Sequence, residues 1–208
     1  MSTTQTPESQ SATTPSQAIE MLKQGNVRFT SGSTTSRDYQ SQVSQTAGGQ
    51  YPIAAVVSCI DSRIPTEIVF DQGIGDIFNA RIAGNFVNED ILGSLEFACK
   101  VAGAKAIVVM GHTSCGAIKG ACDKAELGNL TQMLEKIMPA VDAIHTPEGA
   151  DRSSANAEFV DAVAAKNVEL TLAKIKENSP VLEEMIEANE IEIVGAMYDV
   201  ASGKVSFL

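Results

Sequence analysis

The sequence predicts an α/β fold: a mainly parallel central β-sheet flanked by helices, with an N-terminal helical arm and a closing C-terminal strand. Three observations carry this reading. Residues 53–57 and 106–110 are short, wholly apolar and rich in β-branched side chains, as strands buried on both faces are. Helical segments alternate with such runs along the chain, the order of a parallel sheet with crossovers. Both runs end in potential metal ligands, and open α/β sheets place their sites at the carboxyl ends of strands.

The elements follow in order. Residues 1–15 are rich in Ser, Thr and Gln with no apolar stretch. They predict a disordered tail and not a signal peptide. Residues 16–208 form one domain, long enough for a sizeable core, and 16–50 are its arm. Ile19, Leu22, Val27 and Phe29 mark an amphipathic helix; Ser16 can cap it, and Gly25-Asn26 weakens its second half. Residues 30–50 are polar and turn-rich, with a short helix near 40–46. Pro65 opens a short helix over 65–70, and residues 77–82 form the next strand. Asn88, Glu89 and Asp90 suit a helix start. That helix runs over 91–102, turning Ile91, Leu92, Leu95 and Ala98 to the sheet, with Cys99 an inert core thiol. Helices are expected at 116–122, at 129–144 with a kink or break at Pro139, at 155–177 and from 180. Strands at 191–199 and 204–208, joined through Ser202-Gly203, finish the chain.

Composition narrows the function. The net charge of −11 argues against nucleic acid and anionic membrane surfaces as partners, and no apolar run reaches the length of a membrane span. Four cysteines in 208 residues do not make a disulfide framework. The expected compartment is therefore reducing, the cytoplasm, although a leader removed on export would leave the same sequence.

The chemistry is concentrated in two stretches, Ser58 to Arg63 and Gly111 to Gly116. The first reads C-x-D-x-R and the second H-x-x-C. A lone cysteine is more often core than ligand. Here one of only two histidines and two of four cysteines fall at metal-ligand spacing on turns after strands. Beside them stand an aspartate and an arginine, which are not core residues. The set Cys59, His112 and Cys115 points to one Zn²⁺ per chain. Two thiolates neutralise the ion and three protein ligands leave a fourth position, where a water is acidified into a nucleophile. Asp61 can take that position and shut the site, or pair with Arg63 and leave it open; a plain structural salt bridge is the lesser alternative. The helix opening at Gly116 aims free N–H groups at the Cys115 thiolate. The remaining histidine, His145, is the only spare proton shuttle and lies outside the motifs.

C-x-D-x-R followed by H-x-x-C-G resembles the β-class carbonic anhydrases. Residues 18–29 resemble the family's N-terminal helix, and Arg81 to Asn85 its R-x-A-x-N segment. The resemblance covers residues 16–122 strongly and the rest by pattern. It implies zinc-dependent, reversible hydration of CO2 to bicarbonate and a proton, by a homodimer or a dimer of dimers whose arm packs on the second subunit and whose last strands reach the dimer edge. It implies Asp61 and Arg63 as the catalytic dyad. It also implies Gln50, Phe78 and Gly116 as substrate-binding positions, with the Gln50 amide reaching the neighbouring subunit's metal; Phe78 reads equally as a core aromatic. Relatives with bicarbonate-closed sites carry a tryptophan where this chain has Val56, so an open site is expected. Two alternatives share the ligand set: a CS2 or COS hydrolase, and a structural or redox-sensing zinc module closed by Asp61.

Overall fold

Residues 4–208 are described by the computed structural model. The elements run α1 (Pro7–Ala12), α2 (Pro15–Thr30), α3 (Tyr39–Thr46), β1 (Ala54–Ser58), α4 (Thr66–Val69), β2 (Ile77–Arg81), α5 (Glu89–Glu96), β3 (Ala106–His112), α6 (Gly116–Cys122), α7 (Gly128–Glu135), α8 (Met138–Ala143), α9 (Ala157–Asn178), α10 (Pro180–Glu187), β4 (Glu192–Tyr198) and β5 (Val205–Phe207). The sheet order is β2-β1-β3-β4-β5. The first four strands are parallel and β5 returns antiparallel to β4. This is the mainly parallel sheet with flanking helices that the apolar runs predict.

Burial follows position in the sheet. β1 and β3 are buried at every residue, as central strands must be, whereas the edge strand β2 is only partly covered. Alternate side chains of β1 and β3 feed two cores. Val56, Val108 and Met110 join Leu22, Phe70 and Phe86 on one face. Ala55, Val57, Ile107 and Val109 join Leu95, Cys99 and Leu182 on the other. α9 serves both, with Val160 and Val163 in the first and Val168 and Ile175 in the second. No described helix is long and apolar enough to cross a membrane.

Four local expectations are corrected. Residues 1–3 of the expected tail lie outside the described residues, but residues 7–12 are helical. Thr6 and Ser9 form a reciprocal cap with Pro7 in the first turn. The buried Gln10 amide then donates to Pro52 O at 2.7 Å and Ala102 O at 2.8 Å. Polar composition conceals this segment because it docks through hydrogen bonds and not through apolar burial. α2 is capped by Thr14 with Gln17, two residues earlier than Ser16 would place it. The helix at 91–102 divides: α5 ends at Glu96 and a π-helical turn follows at Phe97–Val101. Pro139 does interrupt the 129–144 segment, as the second residue of the separate helix α8. Gly25 does not disrupt α2, because a close approach needs it: a Cβ there would lie 1.8 Å from Phe70 O.

The segment after α2, residues 31–38, has no apolar anchor. It is held by charge. Asp71, 3% exposed, accepts from Arg28 Nε at 2.5 Å, from Arg37, and from the Thr35 hydroxyl at 2.9 Å. Burial pushes its carboxyl up, but the hydrogen bonds from Arg28, Arg37 and Thr35 outweigh it and hold the group below its usual value. A depressed folded-state pKa gives stability that is complete above the unfolded value of about 3.9. That stability fades as pH falls through the folded value. Asp71→Asn strands the buried Arg37 charge and should cost ~3 kcal/mol near pH 7. Urea midpoints at matched protein concentration should separate variant from parent at pH 7 and converge in acid; equal midpoints at pH 7 would contradict the role of this network.

Candidate metal centre

The centre forms where β1 and β3 leave the sheet. Their register pairs Ser58 with Met110, so Cys59 and the Gly111–His112 end emerge side by side. Cys115 follows three residues later as the N-cap of α6. The turn between requires Ser114 at φ 55°, held by its N–H donating to Asp161 Oδ1 at 3.2 Å. Thr113 is fixed from β4: its N–H donates to Tyr198 O at 2.9 Å and its hydroxyl accepts from Val200 N at 3.1 Å.

Cys59, His112 and Cys115 are buried, and their ligand atoms lie within 4.8 Å of one another. The sulfurs are 4.0 Å apart, twice a disulfide length of ~2.05 Å and near the ~3.8 Å edge of a tetrahedron with 2.3 Å zinc–sulfur bonds. His112 Nδ1 stands 2.9 Å from Thr113 O. A carbonyl only accepts, so Nδ1 carries the proton and Nε2 presents a lone pair. That Nε2 is buried without a hydrogen-bond partner. A buried orphan lone pair beside two sulfurs fits a thiophilic ion such as zinc.

The surroundings already act on the sulfurs. The Cys115 thiol beside it, with His112, Gly84 N–H and Asp61 N–H, draws the Cys59 pKa down. The same hydrogen bond, burial and the Cys59 charge push Cys115 up, partly offset by N–H groups of Ile118 and Ala117 at the start of α6. Without a cation the pair thus favours one negative charge, on Cys59, with the Cys115 proton held between the sulfurs. Cys99, by contrast, is pushed up to about 12 by burial alone, as an inert core thiol should be.

Asp61 is beside the cluster and turned to Arg63. Its Oδ1 accepts from Arg63 N and Nε, both at 2.9 Å, and its Oδ2 accepts from a terminal guanidinium nitrogen at 2.7 Å. The hydrogen bonds from Arg63 hold the carboxyl well below the usual carboxylate range. Oδ2 is still 3.9 Å from His112 Nε2. Gly116 is exposed in the first turn of α6, with nothing within 4 Å of where a Cβ would stand.

Two expected site residues are not brought to this cluster. Gln50 is exposed on the loop before β1, at the amino end of a strand whose carboxyl end leads to Cys59; β1 alone spans roughly 16 Å. Phe78 lies on edge strand β2 and packs in the second core, 6.2 Å from Phe97 in an edge-to-face pair. Together they line a cleft of about 500 Å³. His145 is exposed beyond α8 and shares no described hydrogen bond with the cluster. Other residues support the site through hydrogen bonds. Arg81 donates to Cys59 O at 2.9 Å and Asp61 O at 2.7 Å, and its place at a strand end is the signal that marks it. Gly84, Asp161 and Asn167 have no such signal.

A parallel α/β sheet with a Cys–His–Cys cluster at its carboxyl edge defines the class. A family model described as carbonic anhydrase matches residues 54–205. Carbonic anhydrase 2 of Mycobacterium tuberculosis is 34% identical over 201 residues, 92% of each chain. The carbonic anhydrase of Mycolicibacterium smegmatis is 36% identical over 198 residues, again 92% of each. A structure from work on two tetrameric β-carbonic anhydrases of Sordaria macrospora superposes with TM-score 0.68 at 27% identity, covering 81% of this chain and 90% of that one. The chain belongs to the β-carbonic anhydrase family, enzymes whose general reaction is the hydration of CO2.

Proposed function

We propose that the chain hydrates CO2 reversibly to bicarbonate and a proton at a zinc ion held by Cys59, His112 and Cys115. The observation that carries this reading is the Asp61–Arg63 fork. It keeps a carboxylate next to the cluster but engaged elsewhere, which argues for an open site over a closed structural zinc module. When bound, zinc supplies an acidified water near neutral pH. Asp61 Oδ2 would accept a hydrogen bond from the attacking oxygen, without taking its proton, and so turn that oxygen's lone pair to the carbon of CO2. Arg63 holds Asp61 in that orientation. One C–O bond would form as one C=O π pair of CO2 moves onto its oxygen, giving bicarbonate, and the proton lost when the water ionises would leave to solvent.

Hydration at the cluster needs a wall for substrate beside the metal. Gln50, Phe78 and Phe97 have the chemistry to supply it, an amide and two aromatic faces. Gln50 stands at the opposite end of the sheet, Phe78 on the edge strand β2 and Phe97 on the helical turn packed against it, so we assign them to the neighbouring subunit's site in a homodimer or a dimer of dimers. The exposed, half-covered β2 edge supports that assignment.

Stopped-flow CO2 hydration on metal-analysed protein tests the reaction, and failure to accelerate it would overturn the reading. Asp61→Ala and Arg63→Ala should each lower kcat by roughly 10–100-fold. Their double variant should lose little more than either, because both act through one pair; additive losses would leave Arg63 a structural cation. For the shared site, subunits carrying Cys115→Ser and Gln50→Ala should be inactive alone. Mixed and reassembled, they should regain activity, since each hybrid holds one intact metal and one intact Gln50 facing it; no recovery in verified hybrids would contradict the assignment.

A further inference from the structure

We propose that Asn167 is a positioning residue for Cys59, acting through Gly84; this rests on the reading of Cys59 as a metal ligand. Asn167 lies on α9, 3% exposed, and donates from Nδ2 to Gly84 O at 2.7 Å. Gly84 in turn donates its N–H to Cys59 Sγ at 3.3 Å. Both bonds are buried. A path of two hydrogen bonds thus runs from a core helix, 83 residues away in sequence from Gly84, to a metal-ligating sulfur.

The geometry explains why an anchor is needed. Gly84 has φ 82° and Asn85 φ 42°, two consecutive residues in the left-handed region. A φ of 82° strains any residue with a side chain, and a Cβ on Gly84 would also push Ile137 Cδ1 from 2.5 Å, so the position favours glycine, whose backbone nothing of its own restricts. A glycine left to itself rotates freely, and its N–H has no steric reason to point at sulfur. Asn167 removes that freedom by fixing the carbonyl. It can do so because its neighbours Val163, Ala164 and Val168 are all buried, which holds this stretch of α9 in the core.

The N–H bond draws charge from the Cys59 thiolate. A sulfur so bonded is a weaker donor, leaves the ion more electrophilic, and is held in one rotamer. Losing the anchor frees the sulfur from that rotamer, and this loss of preorganisation outweighs the stronger donation of an unbonded thiolate, so metal binding should weaken while the thiolate's electronic character changes.

The test compares Asn167→Val with Asn167→Thr, which are nearly equal in shape but differ in a donor. Zinc affinity is read by chelator competition, and thiolate-to-metal charge transfer by absorption of the cobalt-loaded protein. The valine variant should bind zinc roughly 10–100-fold more weakly with shifted cobalt bands, and threonine should restore much of both. Equal affinities and spectra in the two variants, with affinity as in the parent, would overturn the role of Asn167. A parent that binds no stoichiometric zinc would instead overturn the metal reading itself. Should neither variant fold, the parent loaded with spin-active cadmium decides: the Gly84 amide proton should show through-sulfur coupling to the metal, and the Asn167 side-chain amide should exchange slowly. Absence of either signal sinks the proposal.

Discussion

Two sulfurs held 4.0 Å apart at the ends of adjacent parallel strands set the terms for the rest of the chain. Buried thiolates repel each other, and an imidazole lone pair without a partner adds to the cost. Such a cluster persists only where the surroundings over-determine its geometry. Here they do. Arg81 ties the Cys59 carbonyl to β2, Thr113 and Tyr198 bind the His112 turn to β4, and α9 holds Gly84 and Ser114 from behind. The wholly buried strands β1 and β3 are the rigid supports on which the ligand positions depend.

The Asp61–Arg63 pair works differently, because half of it faces water. The Arg63 side chain is 50% exposed and that of Asp61 15%. A pair so placed contributes little to stability. Its value lies in where it directs the carboxylate: the fork satisfies both oxygens and leaves Oδ2 close to, but outside, the three ligands. On the proposed reading, a weak surface interaction decides whether the centre is catalytic or closed. That division between a strongly supported cluster and a lightly held latch suits an enzyme that must admit and release small molecules.

Much of the fold and nearly all of the cluster were legible in the sequence, for physical reasons. Continuous β-branched runs such as Ile107 to Val109 have few alternatives to a buried strand, and Cys, His and Asp at short spacing announce a site locally. What was not legible lies far apart in sequence or has no apolar signature. Gln10 docks by hydrogen bonds to Pro52 and Ala102, so its helix looks like a tail. Asn167 is one polar residue in an otherwise ordinary helix, and only the fold brings it to Gly84. Gln50 and Phe78, implied by resemblance, are positions that one chain does not bring to its own cluster; periodicity within a chain carries no information about a neighbour.

The central claim is a centre with two sulfurs, one imidazole and one exchangeable position. Zinc-edge X-ray absorption of the loaded protein, before and after addition of azide, tests it most directly. The account predicts two sulfur scatterers at ~2.3 Å and two light-atom scatterers at ~2.0 Å, with one of the light atoms replaced when azide binds. A spectrum that azide leaves unchanged, or one with a single sulfur in the coordination shell, would contradict it.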